Sequence, residues 1–410
     1  MSHEKEKVIV FGARNGYKID KKYINNAFDV IAIVDNDQKI QGTMIDDIEV
    51  QSPESINMYE YDSILVTPSH KFSLEIKAQL EKMGIPKSKI KFHGDGGMAP
   101  FAINPKFFAT NLCDCDKKQL FLENMERVII ELNSKCNRQC WFCTNSLLEV
   151  PKNIDMSDEV FDKIIDELAE IDYAQDICLS FFNEPLLCTK IIERIKTMRE
   201  KLPKSYIYLF SNGDYLTRDI LDLLEGAGLD EIIVDIYINK FEFCFEEAKQ
   251  RANELLKKLD IEMEFDEIPQ RLKGYKKYGN MDFVILSQDF SKSAANRAES
   301  LPESLPIPKI TSHPNPCIKN FMSYHIDFRG DVWPCPNYHH EFEAHRQYCV
   351  GNVLEETIYD IYLGKKLTEY REKNFFHRDT LPCRSCIWDF KSFISNRYHR
   401  PFRDRPGLNK

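Results

Sequence analysis

Short apolar runs separated by polar, helix-compatible stretches recur along most of this chain, and that alternation predicts parallel sheets covered by helices on both faces. The first runs are Val8-Ile9-Val10-Phe11, ending at Gly12, then Val30 to Val34, ending at Asp35, then Ile64-Leu65-Val66. Before the third, Ser52-Pro53-Glu54 has the form of a helix start, with Ser52 as cap and Pro53 in the first turn. Residues 1–97 are therefore expected to form a small parallel-sheet α/β domain. Gly94, Gly96 and Gly97, followed by Pro100 and Pro105, mark the stretch 98–126 as a linker.

From Arg127 the alternation resumes. Strands are expected at 128–132, 177–181, 206–210, 231–238, 261–265 and 281–286. Ser157 opens a helix whose Phe161, Ile164, Ile165 and Leu168 recur at helical spacing. Six strands alternating with helices over 127–300 predict a partial (β/α)6 barrel, with its site at the strand C-termini. Segment 301–316 contains five prolines and reads as a connector. It begins a smaller cysteine-rich domain, 301–410, with a hairpin around Asp327-Phe328-Arg329-Gly330-Asp331.

Composition narrows the function. Of 410 residues, 43% are hydrophobic and 29% charged, as in a globular protein. The net charge of −10 disfavours a nucleic-acid partner. Met1 to Lys7 holds no apolar leader, and no run approaches the ~18 apolar residues of a membrane span. A cytoplasmic protein with no membrane partner is the expectation. Thirteen cysteines in a reducing compartment are better read as metal ligands than as disulfides. Seven of them fall into two sets.

The first set, Cys136-Asn-Arg-Gln-Cys140-Trp-Phe-Cys143, lies directly after a strand. Three thiolates on one loop can bind three irons of a 4Fe–4S cluster and leave the fourth iron open, although a zinc site with a fourth ligand elsewhere fits the same residues. The C-x3-C-x2-C pattern resembles that of the radical S-adenosylmethionine (SAM) superfamily, and the resemblance extends over about 127–300. It implies that the open iron chelates SAM and that an electron from the cluster releases a 5′-deoxyadenosyl radical, which abstracts a substrate hydrogen. On the same resemblance Phe142 approaches the adenine. Glu184, in Phe182-Asn183-Glu184-Pro185, accepts from the SAM amino group, although Phe and Asn replace the family's two glycines. Ser211 and Asn212, in Ser211-Asn212-Gly213, are similar to a segment near the ribose. Asn296-Arg297-Ala298 resembles a segment of family members with auxiliary clusters, which makes Arg297 a substrate contact; Glu299 replaces the expected glycine.

The second set is Cys317, Cys335, Cys383 and Cys386. Four thiolates suit either zinc or a cluster. The segment resembles SPASM/twitch extensions, in the shorter form with one auxiliary 4Fe–4S cluster. A closed cluster beside a radical site can accept one electron, so net oxidation of a sugar, cyclitol or nucleotide-linked sugar is the expected reaction. An external one-electron reductant of flavodoxin or ferredoxin type would be required. Peptide maturation, sugar epimerisation with Cys188 as hydrogen donor, and a non-catalytic zinc scaffold are the alternatives. Cys113 and Cys115 form a C-x-C pair too small for a metal site alone. Tyr338, His339 and His340 read as a surface loop, with substrate contact as the alternative. The tail arginines 397, 400, 403 and 405 read as solvated. The N-terminal region resembles Rossmann-like domains of polysaccharide and nucleotide-sugar enzymes, with Asp35 near the position of a ribose-binding acid but a broken glycine pattern.

Overall fold

A computed structural model describes residues 5–14, 17, 21, 24–25, 28–67, 70–86, 89–92, 107, 112–148, 154–238, 240–268, 271–308, 317, 319–376 and 381–386. The chain divides into two compact units. One is built from residues 1–109 and two short later segments, the other mainly from 110–313 and 317–388.

The first unit is a six-stranded sheet formed by β1 (Glu6–Phe11), β2 (Phe28–Val34), β3 (Met44–Ile45), β4 (Ile48–Gln51), β5 (Ser63–Val66) and β6 (Ile90–Phe92). Its order is β3-β4-β2-β1-β5-β6, with every pairing parallel except β3 to β4. The five parallel strands follow the order of a doubly wound sheet. Its apolar runs are continuous because both faces are buried, with Ile9, Phe11, Ile64 and Val66 in one core cluster. Pro53 starts a 3-10 helix, Pro53–Met58, rather than an α-helix, and Ser52 makes no side-chain capping bond. Helix α1 (His70–Lys82) follows β5. Both carboxylate oxygens of Asp35 are taken up by the chain itself, accepting from Ala13 N–H at 2.8 Å and Asp37 N–H at 2.9 Å. Gly16 and residues 93–106 lie outside the described residues.

The second unit begins with α2 (Asp114–Asn124), inside the stretch expected to be a linker. Its Phe121 is fully buried among Tyr173, Tyr324, Tyr359 and Tyr362, at centroid distances of 5.1 to 6.2 Å. Cys113 and Cys115 are joined as a disulfide, contrary to the expectation of no disulfides, so this pair supplies no ligand to either cysteine set.

The central sheet runs β11-β12-β13-β10-β9-β8-β7-β14-β15-β16. Six neighbouring strands are parallel: β13 (Met281–Gln288), β10 (Glu231–Asp235), β9 (Tyr206–Ser211), β8 (Asp176–Cys178), β7 (Arg127–Ile130) and β14 (Ser323–Ile326). Helices α3 (Asp158–Glu170), α4 (Ile191–Lys201), α5 (Arg218–Gly226) and α6 (Phe245–Leu259) connect them. Ser157 caps α3 by accepting from Val160 N–H, and Phe161, Ile164, Ile165 and Leu168 face the core.

Two strand assignments need correction. The run 261–265 does not form a parallel strand: β11 is Phe265–Ile268, and it pairs antiparallel with the unforeseen β12 (Arg271–Tyr278). Ile261, Met263 and Phe265 alternate with Glu262, Glu264 and Asp266, the pattern of a strand with one wet face rather than of a buried one. The sixth parallel strand comes instead from β14, beyond the connector. It continues through the expected hairpin into β15 (Asp331–Trp333), with Ile326 opposite Val332, and β15 pairs with β16 (Gly351–Asn352). Gly330, at φ +87°, makes that turn.

After the short helix α7 (Phe290–Ser293), α8 (Lys319–Met322), α9 (Ile358–Tyr362) and α10 (Lys365–Phe376) complete the unit. Arg371 on α10 is fully buried. It donates to Asn320 O at 3.0 and 3.2 Å and to Tyr362 O at 2.6 Å, between the rings of Phe321 and Tyr362. Replacing it with Met leaves two buried carbonyls without these donors, and we expect a loss of ~3 kcal/mol of stability, read from denaturant unfolding.

Candidate iron–sulfur site

The C-terminal ends of the parallel strands gather the polar residues of this unit, as in open α/β sheets generally. The loop after β7 carries Cys136, Cys140 and Cys143. Cys143 acts on both Cys136 and Cys140, and Cys136 acts on Cys140, so the three lie within electrostatic reach of one another. Burial pushes Cys136 up to about 11 and Cys140 up to about 12. Burial also raises Cys143, against a pull downward from the Arg297 charge. Such thiols become thiolates when a cation binds, which is the donor chemistry of an iron–sulfur cluster. Among the described residues no three His, Cys, Asp or Glu side chains converge to hold one metal ion. In a cluster each thiolate binds a different iron, so convergence on one point is not required.

A clamp absent from the sequence expectations fixes this loop. Arg138 and Asn137, inside the C-x3-C spacing, both donate to Asp214 after β9, Arg138 from Nε at 2.7 Å and Nη2 at 2.5 Å and Asn137 at 2.7 Å. Asn212 Nδ2 donates to Asn137 Oδ1 at 2.8 Å. Gly213 completes the turn at φ +77°, where a Cβ would meet Val234 at 2.7 Å. The usable signal was a charged pair in two loops that both follow parallel strands.

Glu184, after β8, is 2% exposed. Its carboxylate accepts from Ser211 Oγ at 2.9 Å, Asn212 N–H at 2.7 Å and Leu186 N–H at 3.1 Å. Burial raises its pKa, and these three donors oppose the rise. Glu184, Ser211 and Asn212 are thus one bonded group, and Glu184 acts on the Cys136 thiol. Phe142 is buried and stacks on Phe290 with centroids 3.7 Å apart. Leu301, Leu305 and Ile307 of the expected connector pack into the same cluster with Cys140.

Asp235, the last residue of β10, has its carboxyl raised by burial from 3.8 to about 7, against the Tyr237 hydroxyl, which donates to it at 3.2 Å. The fold therefore favours the neutral acid. Wild-type stability should fall as pH rises from 3.8 through about 7, whereas Asp235→Asn cannot ionise. We expect the variant's thermal midpoint to exceed that of wild type by more at pH 8 than at pH 4.

Arg297 follows β13 in a turn where residues 297–299 all have positive φ, from 50° to 68°. Three contacts hold this turn. Ser300 Oγ lies 2.7 Å from Thr144 Oγ1, next to Cys143, and also donates to Arg297 O at 2.8 Å. His345 Nε2 is 2.8 Å from Ala298 O. Arg297 is half-buried, lies over the Phe182 ring at 5.8 Å and donates to Asn337 Oδ1 at 3.4 Å. Among the described residues it has no carboxylate partner.

The run Tyr338-His339-His340 is buried, not a surface loop. Tyr338 Oη is 3.2 Å from Tyr370 Oη. His339 Nδ1 accepts from Glu341 N–H, which leaves the proton on Nε2, a buried donor without a hydrogen-bond partner. Burial first, then His340, His345 and Arg297, push its pKa down to about 2. His340 stands 3.2 Å from Glu131, a buried carboxylate after β7. Burial works against the His340 imidazolium, but Glu131, Asp327 and Glu341 outweigh it and its pKa is raised.

The second cysteine set comes together in part. Burial raises Cys335, and Cys317 and Cys386 act on it directly, as does Lys319. Asn337 donates to Cys386 Sγ at 3.6 Å. The Cys383 side chain lies outside the described residues, as do the tail arginines. Cys188 is buried against α4, where Arg194 donates to its Sγ at 4.0 Å.

A parallel sheet with a three-cysteine loop after one strand and a second cysteine set beyond it is the framework of an iron–sulfur enzyme. Residues 130–239 match the Radical SAM superfamily, 317–387 an iron–sulfur cluster-binding (SPASM) domain, and 4–91 the N-terminal domain of C2185-like proteins. The chain therefore carries a radical SAM domain and a SPASM domain, with SAM and 4Fe–4S clusters as cofactors. It is 26% identical over 247 residues to the SAM-dependent 2-deoxy-scyllo-inosamine dehydrogenase of Niallia circulans, across 59% of this chain and 84% of that protein. Among solved structures it is similar to BtrN in complex with AdoMet and 2-DOIA, at 23% identity and a TM-score of 0.48, over 64% of this chain and 93% of that one. It is also similar to native anSMEcpe with bound AdoMet, at 15% identity and a TM-score of 0.40, over 61% and 83%. No helix among the described residues is long and apolar enough to cross a membrane.

Proposed function

We propose that this radical SAM enzyme oxidises a hydroxyl-bearing carbon of a cyclitol, sugar or nucleotide-linked sugar to a ketone. The observation that carries the reading is the Arg297 turn, which is bonded toward Cys143 through Ser300 and Thr144 and toward Cys386 through Asn337. A substrate held there lies within reach of both cysteine sets. Cys136, Cys140 and Cys143 would hold the catalytic cluster, and Cys317, Cys335, Cys383 and Cys386 the auxiliary one. When bound, these groups supply a 5′-deoxyadenosyl radical on one side and a one-electron acceptor on the other.

The protein's own residues would then bind, orient and deprotonate. Glu184 and Asn212 would take the polar end of SAM, with Ser211 holding the Glu184 carboxylate and Phe142 lying against the adenine. Arg297 and the free Nε2–H of His339 would bind the substrate oxygen, and a guanidinium without a carboxylate partner suits an oxygen-rich ligand. The buried Glu131–His340 pair is the titratable couple that would receive the hydroxyl proton. The 2-deoxy-scyllo-inosamine dehydrogenase relative supports a cyclitol. A cytoplasmic location and a flavodoxin- or ferredoxin-type reductant belong to the same proposal, with no nucleic-acid or membrane partner.

The test is turnover of cyclitols, beginning with 2-deoxy-scyllo-inosamine, and of nucleotide sugars by reduced enzyme in deuterated water. A ketone two hydrogens lighter, formed with 5′-deoxyadenosine and carrying no solvent deuterium at the reacting carbon, is expected. An epimer labelled at that carbon would overturn the oxidation.

A further inference from the structure

Asn337 stands two residues beyond Cys335, and Pro336 between them has no N–H, so Asn337 carries the first backbone donor after that ligand. Its backbone N–H bonds the Cys335 sulfur. Its side-chain Nδ2 donates to Cys386 Sγ at 3.6 Å, within reach for a large sulfur acceptor. Its Oδ1 accepts from Arg297 Nη1 at 3.4 Å. One residue, 4% exposed, therefore touches two thiols of the second set and the guanidinium that faces the catalytic loop.

Hydrogen bonds to cluster sulfurs withdraw electron density from the thiolates and favour the reduced state, which raises the reduction potential. Polarisation by Arg297 makes the amide a stronger donor. We propose that Asn337 is a positioning residue that sets the auxiliary cluster's reduction potential through its bond to Cys386 and couples that potential to the charge of Arg297. This rests on the reading that Cys317, Cys335, Cys383 and Cys386 hold a cluster.

The experiment is an EPR-monitored redox titration of fully reconstituted enzyme, comparing wild type with Asn337→Ala and Asn337→Asp. Both variants keep the backbone bond to Cys335 and remove the side-chain donor. The auxiliary signal should need a lower potential, by about tenfold in the reduction equilibrium for Asn337→Ala, or ~59 mV for one electron, and by more for Asn337→Asp. The catalytic signal should stay in place, and Arg297→Met should shift the auxiliary signal in the same direction. Unchanged auxiliary potentials in variants that retain full iron would overturn the proposal. Loss of the auxiliary iron from both variants would also overturn it, because Asn337 would then serve assembly rather than potential. A wild-type enzyme with only four irons would instead sink the reading of the second set.

Discussion

Cys140→Ala should yield no 5′-deoxyadenosine under any reductant, while iron falls from about eight to about four per chain, because one of the two four-iron centres is lost. Cys140 is the middle thiol of the C-x3-C-x2-C loop, is 8% exposed, and feels the charges of both Cys136 and Cys143. Removing it leaves two thiols, too few to hold a cluster against loss. The fold should survive, because the loop is independently anchored by Asn137 and Arg138 on Asp214 and by Thr144 on Ser300. Circular dichroism and the residual iron of the second set check that. A variant that retained SAM cleavage would place the radical source elsewhere in the chain.

Cys335→Ala should separate the two halves of the chemistry. The catalytic loop shares no ligand with Cys335, so reduced variant should still convert SAM to 5′-deoxyadenosine. Ketone formation should drop by at least about a hundredfold, the upper range for disrupting a metal centre's supporting groups. With no acceptor for the second electron, abstraction becomes unproductive and 5′-deoxyadenosine accumulates in excess over product. The ratio of the two, measured by mass spectrometry, is the readout. Equal ratios in variant and wild type would mean that the second set shapes the pocket without taking an electron.

The parallel strands were legible because strands buried on both faces are written as unbroken apolar runs, as in Val128–Ile130 and Ile232–Val234. The same rule misled at 261–265, where alternation with Glu262 and Glu264 marked an edge hairpin, and β12, RLKGYKKY, carried too few apolar residues to show. Helix α2 was hidden because it has almost no amphipathic stripe; its buried side chains are the adjacent Leu120 and Phe121, the latter among four tyrosines. In the site, cysteine spacing is local and was readable. The Asn137–Arg138–Asp214 clamp, the Glu131–His340 pair and the Arg297–Asn337–Cys386 chain join residues 40 to 209 positions apart, and only the folded sheet brings them together. The histidine run at 339 and 340 was misread because two adjacent polar rings look like loop, whereas here a hydrogen-bonded turn buries them both.

The most direct test is anaerobic reconstitution of wild-type protein, followed by iron and sulfide analysis and by incubation with SAM and dithionite. About eight irons and eight sulfides per chain, with reductant-dependent release of 5′-deoxyadenosine and methionine, is the predicted result. Two zinc ions without sulfide, or intact SAM after full reduction, would contradict it.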